Sequence, residues 1–178
     1  MSPTILPFKG IHPRIAQNVF IAPTAALIGR VEIAADASIW YSCAVRGDVH
    51  EIKIGAGSNI QDGTIIHGVE GQYGTYVGAN VTIGHAAVIH GCIIEDMVLI
   101  GMGATVMEGA VIETGGWVAA GALVTPGKRI KKGELWAGSP AKFLRDVKPE
   151  ERDHIAWVAE HYRTLATEHM KAVADHPK

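Results

Sequence analysis

Aliphatic residues recur at every sixth position over most of this chain, and that period limits what it can fold into more than any other feature. From Ile15 the series runs through Ile21, Leu27, Ile33, Ile39 and Val45, slips by three residues, and resumes at Ile54, Ile60 and Ile66. It restarts at Val77, Ile83 and Ile89, slips again, and continues through Ile94, Ile100, Val106, Ile112, Val118 and Val124 to Ile130. Four residues after most anchors stands a small side chain, such as Ala25, Ala37, Cys43, Ser58 or Thr64. A period of six fits neither the 3.6-residue turn of a helix nor the alternation of a simple strand. It fits the hexapeptide unit of a β-helix, in which three units close a triangular coil of roughly eighteen residues. The anchor then fills the prism interior and the small residue fits the corner. Glycines directly after anchors (Gly55, Gly78, Gly84 and Gly101) suit backbone turns.

Composition agrees. With 178 residues, 48% of them hydrophobic, one domain with a sizeable core is expected; 21 glycines and only 6% aromatics argue against an ordinary layered α/β core. The formal charge is −2 and the only dense basic stretch is Lys128, Arg129, Lys131 and Lys132, so no nucleic-acid partner is expected. No run of eighteen apolar residues and no basic-then-apolar leader occurs, which predicts no membrane partner and a cytoplasmic protein. Cys43 and Cys92 lack CxxC spacing and read as reduced thiols.

The stretch Gly68 to Tyr76 interrupts the repeat and reads as a protruding loop. After Trp136 the repeat stops; Lys148-Pro149-Glu150-Glu151 has the proline and acids of a helix start, and Ile155, Val158, Tyr162 and Leu165 fall on one face. The expected organisation is a β-helix over residues 1–145 and an amphipathic helix over 146–178 packed on it within the same domain, fraying toward Lys178.

The period also positions histidines. His67 follows anchor Ile66 and His90 follows anchor Ile89, three hexapeptides on, so the two should stack on one face of adjacent coils, about 4.8 Å apart. His85 lies two residues after Ile83 and projects from a different face. In a threefold assembly of parallel prisms, His85 of one subunit would meet His67 and His90 of its neighbour, so the metal site requires a homotrimer. Three imidazoles with an open fourth position match catalytic zinc, which lowers the pKa of bound water to about 7 and supplies hydroxide at neutral pH. Cobalt(II) or iron(II) would also accept such ligands. His12, His50, His154, His161, His169 and His176 show no such convergence and read as surface residues, His50 least firmly.

Three motifs, RGDVHEIKIG from Arg46, NIQDGTIIH from Asn59 and IGHAAVIHGC from Ile83, resemble the γ-class carbonic anhydrase family, and the resemblance runs from about Phe8 into the C-terminal helix. It implies a left-handed parallel β-helix and makes His67, His85 and His90 the zinc ligands of an enzyme that interconverts carbon dioxide and bicarbonate. It also implies an ion bridge of Arg46 and Asp48 at the subunit interface. Gln61 would bond the metal-bound hydroxide and Asn59 would orient carbon dioxide or bicarbonate. Asp62 would hold Arg46 or an imidazole, and Tyr162 would point toward the site. From the residues alone, Arg46 and Asp48 serve equally as a solvated pair, Asn59 and Gln61 as turn residues or a ladder, and Tyr162 as a packing aromatic. The sequence departs from the family pattern at Val49, where a glutamate would follow RGD, and in the loop, whose only acid is Glu70. Proton removal at each turnover is therefore expected to be weakly served. Two other functions remain open. One is a metal-dependent acyl-CoA thioesterase or a hexapeptide acyltransferase, suggested by AGSPAK from Ala137. The other is a non-catalytic trimeric assembly protein.

Overall fold

The computed structural model describes residues 2–175 and is a left-handed parallel β-solenoid of about seven turns with one C-terminal helix. On one prism face, Phe20–Ile21, Ser38–Ile39, Asn59–Ile60, Thr82–Ile83, Leu99–Ile100, Trp117–Val118 and Glu134–Ala137 stack in parallel. The anchors point inward as their period requires: Leu27, Ile39, Ile60, Ile66, Ile83, Ile89, Ile100 and Ile112 are fully buried in one continuous core. Each such burial stabilises by roughly 1.5–3 kcal/mol relative to exposure. Ile15 and Ile21 are less covered: Ile15 is 36% exposed and Ile21 is half-buried, because each lies at the open end of the prism with a partner on one side only. The strand Thr4–Leu6, which precedes the repeat and carries no periodic signal, pairs with Ala26–Ile28.

The interruptions have plain causes. At the first slip the strand Ala44–Ile54 runs unbroken across two faces, pairing at its start with Ile65–His67 and at its end with Thr75–Val77. The second falls where Gly91 turns the corner between Val88–His90 and Ile93–Ile94. The loop does protrude, closed by an antiparallel bridge between Val69 and Tyr73.

The glycine expectation needs correcting. Most residues with left-handed backbone angles stand three after an anchor, as at Gly103 (φ 67°), and non-glycines accept the strain at Asp36, Ser42, Asn80, Ala86 and Met97. Gly55 has no positive φ; it is needed because a Cβ there would lie 2.3 Å from the Gly78 carbonyl oxygen of the next coil.

A helix over Pro149–Ala174 lies along the prism face that carries Asn59 and Thr82. Its buried seam is Ile155, Ala159 and Ala166, with Val158, Tyr162 and Leu165 half-buried beside it. Near its start Ile155 meets Leu99, Leu135 and Val147; farther on Tyr162 and Leu165 meet Phe20 and Trp40. The antiparallel strand Lys142–Asp146 leads into it. Lys148 N–H donates to Glu151 (2.9 Å) while both Arg145 nitrogens donate to the same carboxylate at 2.7 Å.

Those bonds hold Glu151 down from its ordinary pKa of 4.5 to about 2, Arg145 contributing most. A depressed carboxylate lends stability that is complete above the unfolded value and lost as pH falls through the folded one. Glu151→Gln is therefore expected to lower the thermal midpoint above about pH 4.5, with the gap to the parent protein closing toward pH 2. Unfolding curves across that range check it; a gap that widens on acidification would contradict it.

Among the described residues, no helix is long and apolar enough to cross a membrane. Cys43 and Cys92 are free and buried, and burial pushes their thiols up to about 11 and about 12. His169 is not a surface residue: it is half-buried among Phe20, Trp40 and Tyr41, with Nδ1 hydrogen bonded to the Tyr41 hydroxyl at 2.9 Å. The helix seam extends one turn beyond the Leu165 expected from the sequence and carries this ring into the cluster. His154 and His161 are exposed and stack on Trp157; His12 is exposed, and His50 is half-buried with Nδ1 accepting from the Glu51 N–H. His176 and the end of the chain lie outside the described residues.

Candidate metal centre

His67 and His90 are paired residues of adjacent strands, Ile65–His67 and Val88–His90. Because every anchor on these strands points inward, the residue after it points out, and both imidazoles leave the prism side by side. Their ring centroids are 5.5 Å apart, and His67 Nδ1 lies 3.4 Å from His90 Nε2. Two nitrogens on a tetrahedral zinc with bonds of 2.0–2.1 Å are about 3.4 Å apart. The pair therefore spans one edge of such a tetrahedron, and two neutral imidazoles suit a divalent ion.

His67 Nε2 is bound to Asp48 Oδ1 at 2.9 Å, and Asp48 also takes Arg46. Burial alone would raise the Asp48 carboxyl, but the bonds from His67 and Arg46 outweigh it and hold its pKa below the ordinary carboxylate value. Arg46 and Asp48 thus pair within one chain.

His85 stands on another corner, where the register Ile60 to Ile83 sets Asp62 one coil beneath it. His85 Nδ1 meets Asp62 Oδ2 at 2.8 Å, which leaves Nε2 directed elsewhere. The other Asp62 oxygen accepts from the Tyr41 N–H. His85 is 43% exposed, and among the described residues of one chain no group of three or more His, Cys, Asp or Glu is arranged to hold a metal. One chain supplies a two-histidine edge and, separately, a single oriented histidine.

Gln61 and Asn59 form a buried relay rather than turn residues. Gln61 Nε2 donates to Asn59 Oδ1 at 3.0 Å and Asn59 Nδ2 donates to Thr82 Oγ1 at 2.9 Å. With its amide nitrogen so engaged, Gln61 keeps its carbonyl oxygen as an acceptor. It lines a groove with His85, Leu99, Trp117 and Val158. Tyr162 packs edge-on against Trp40 at 5.2 Å; burial, and then the Asp62 carboxylate, raises its phenol pKa, so the hydroxyl stays protonated at neutral pH.

Two residues escaped the sequence reading. Thr75, buried, ties the site's backbone together by donating to the His67 carbonyl at 2.5 Å and accepting from Gly91 N–H at 2.9 Å. Glu108 lies with Oε2 3.4 Å from His90 Nδ1. Neither stands at a motif position, and the loop that brings Thr75 back to the prism breaks the register that would have located it.

No family model matches the chain. It is 48% identical over 162 residues to "Gamma carbonic anhydrase 2, mitochondrial" of Arabidopsis thaliana, covering 88% of this chain and 58% of that one, so it spans less than two thirds of that relative's length. Among solved structures it resembles a hexapeptide transferase family protein from Anaplasma phagocytophilum, with 44% identity, a TM-score of 0.89, and coverage of 93% of this chain and 97% of that one. It also resembles a Bacillus cereus protein described as a candidate acetyltransferase, with 34% identity, a TM-score of 0.94, and coverage of 97% and 99%. The hexapeptide solenoid, the paired and the solitary histidine in register, and identity near one half across most of the sequence together show that the chain belongs to the γ-class carbonic anhydrase family of left-handed β-helix proteins.

Proposed function

We propose that this protein is a zinc-dependent carbonic anhydrase that hydrates carbon dioxide reversibly to bicarbonate at sites shared between the subunits of a homotrimer. The observation that carries the reading is the 3.4 Å edge between His67 Nδ1 and His90 Nε2. Zinc bound there and by a neighbour's His85 would supply a hydroxide nucleophile near neutral pH. Asp48 and Asp62 hold His67 and His85 by one ring nitrogen each, so the other nitrogen is the ligand. The Gln61 carbonyl, kept in place by Asn59 and Thr82, accepts a hydrogen bond and orients the attacking oxygen. Leu99, Trp117 and Val158 give the neighbouring groove apolar walls that admit a neutral, apolar substrate. Tyr162 stands ready to donate from its protonated hydroxyl. The loop's only acid, Glu70, is exposed, so proton export relies on buffer.

A second reading, coenzyme A thioester chemistry, is favoured by the transferase descriptions of the two solved relatives. Stopped-flow hydration of carbon dioxide by zinc-loaded and chelated protein separates the readings. Hydration that requires metal and rises with buffer concentration supports the anhydrase. Equal rates in the two samples overturn it, and acyl transfer that survives chelation would establish the second.

A further inference from the structure

The two paired histidines belong to a longer chain of contacts than the ligand pattern calls for. It runs from Asp48 Oδ1 to His67 Nε2 at 2.9 Å, from His67 Nδ1 to His90 Nε2 at 3.4 Å, and from His90 Nδ1 to Glu108 Oε2 at 3.4 Å. Carboxylates accept only, so each outer contact draws a ring proton outward: His67 is protonated on Nε2 and His90 on Nδ1. The two inner nitrogens then face each other as bare lone pairs, an arrangement satisfied by a cation between them. Asp48 alone could not produce this. Were His90 free to carry its proton on Nε2, that proton would bond His67 Nδ1 and close the edge to a metal.

Room for Glu108 is built into the coil beneath. Val106 stacks on Ile89, so Glu108 stands over Gly91; a Cβ there would lie 3.0 Å from Tyr73 Cβ, 3.1 Å from Val69 Cγ2 and 3.2 Å from Glu108 Cβ, so the missing side chain lets all three close over this corner. The carboxylate folds back across this gap to His90 instead of extending into solvent, and its side chain is only 32% exposed.

We propose that Glu108 is a positioning residue that fixes the tautomer and orientation of His90, as Asp48 does for His67, and so sets the open edge on which the ion is held. This rests on the metal-binding reading above. Glu108→Ala removes the acceptor; Glu108→Gln keeps an oxygen in the same place and serves as the conservative rescue.

Two measurements on the full-length protein test it. In metal-free protein labelled with 15N-histidine, imidazole nitrogen shifts above the titration range should show His90 protonated on Nδ1 in the parent and in Glu108→Gln. In Glu108→Ala they should show a shift toward Nε2, with His85 unchanged. Zinc affinity, read by competition with a chromogenic chelator, should fall about ten- to a hundredfold in Glu108→Ala and less in Glu108→Gln. An unchanged His90 tautomer in Glu108→Ala overturns the proposal, as does a shifted tautomer with undiminished affinity. If the parent protein binds no zinc while the tautomer still responds, the metal reading falls and the hold of Glu108 on His90 stands.

Discussion

Subunits carrying His85→Ala and subunits carrying His67→Ala should each lose bound zinc, and refolding the two together in equal amounts should restore about one site in four. The fraction follows from the geometry. A shared site draws His85 from one chain and the His67–His90 edge from its neighbour, and in a random mixture each half is intact about half the time. A site built within one chain would give no restoration, since every chain would lack a ligand. Metal analysis of the separated and mixed proteins, with mass in solution to count subunits, gives the answer. Zinc retained at full occupancy by His85→Ala alone would remove this residue from the site.

The second large effect is steric. Gly55→Ala places a methyl 2.3 Å from the Gly78 oxygen, 2.4 Å from its carbonyl carbon and 2.7 Å from the Ala79 nitrogen, all backbone atoms of the next coil. No side-chain rotation relieves that contact, so the coils must separate and the ladder beside Ile54 must stretch. A loss of about 3 kcal/mol or more is expected. Gly103→Ala is the control: its φ of 67° is unfavourable for alanine, yet nothing lies within 4 Å, and a loss of about 1–2 kcal/mol is expected. Denaturant unfolding compares them; equal losses would mean that close approach is not what Gly55 provides.

These residues also show what was legible beforehand. Ile66 and Ile89 could be put in the core from the period alone, and with them the stacking of His67 on His90, because one inward residue fixes the direction of the next. The period could not separate the two uses of glycine, since a corner and a close approach both select for a missing side chain; only the folded backbone shows that most left-handed residues stand three after the anchor. The helix seam drifted from Val158 to Ala159 because small residues carry little hydrophobic signal, although they let the helix lie close. Glu108 was hidden among the other acids of the corners, such as Glu95 and Glu113, which bond Thr114 and Arg129. What distinguishes it is the bare Gly91 below, a relation between coils and not between neighbours in sequence.

Because each coil touches only the ones above and below, length in this molecule is counted in whole coils. Duplicating a coil beyond Val124 would lengthen the column and leave the imidazoles where they are. Inserting a coil of unrelated sequence between His67 and His90 would move them roughly 9.6 Å apart, too far to grip one ion. The solenoid can thus grow or shrink at its ends during descent without parting the imidazoles, and the stretch from His67 to His90, 23 positions that include the loop and His85, is denied that freedom.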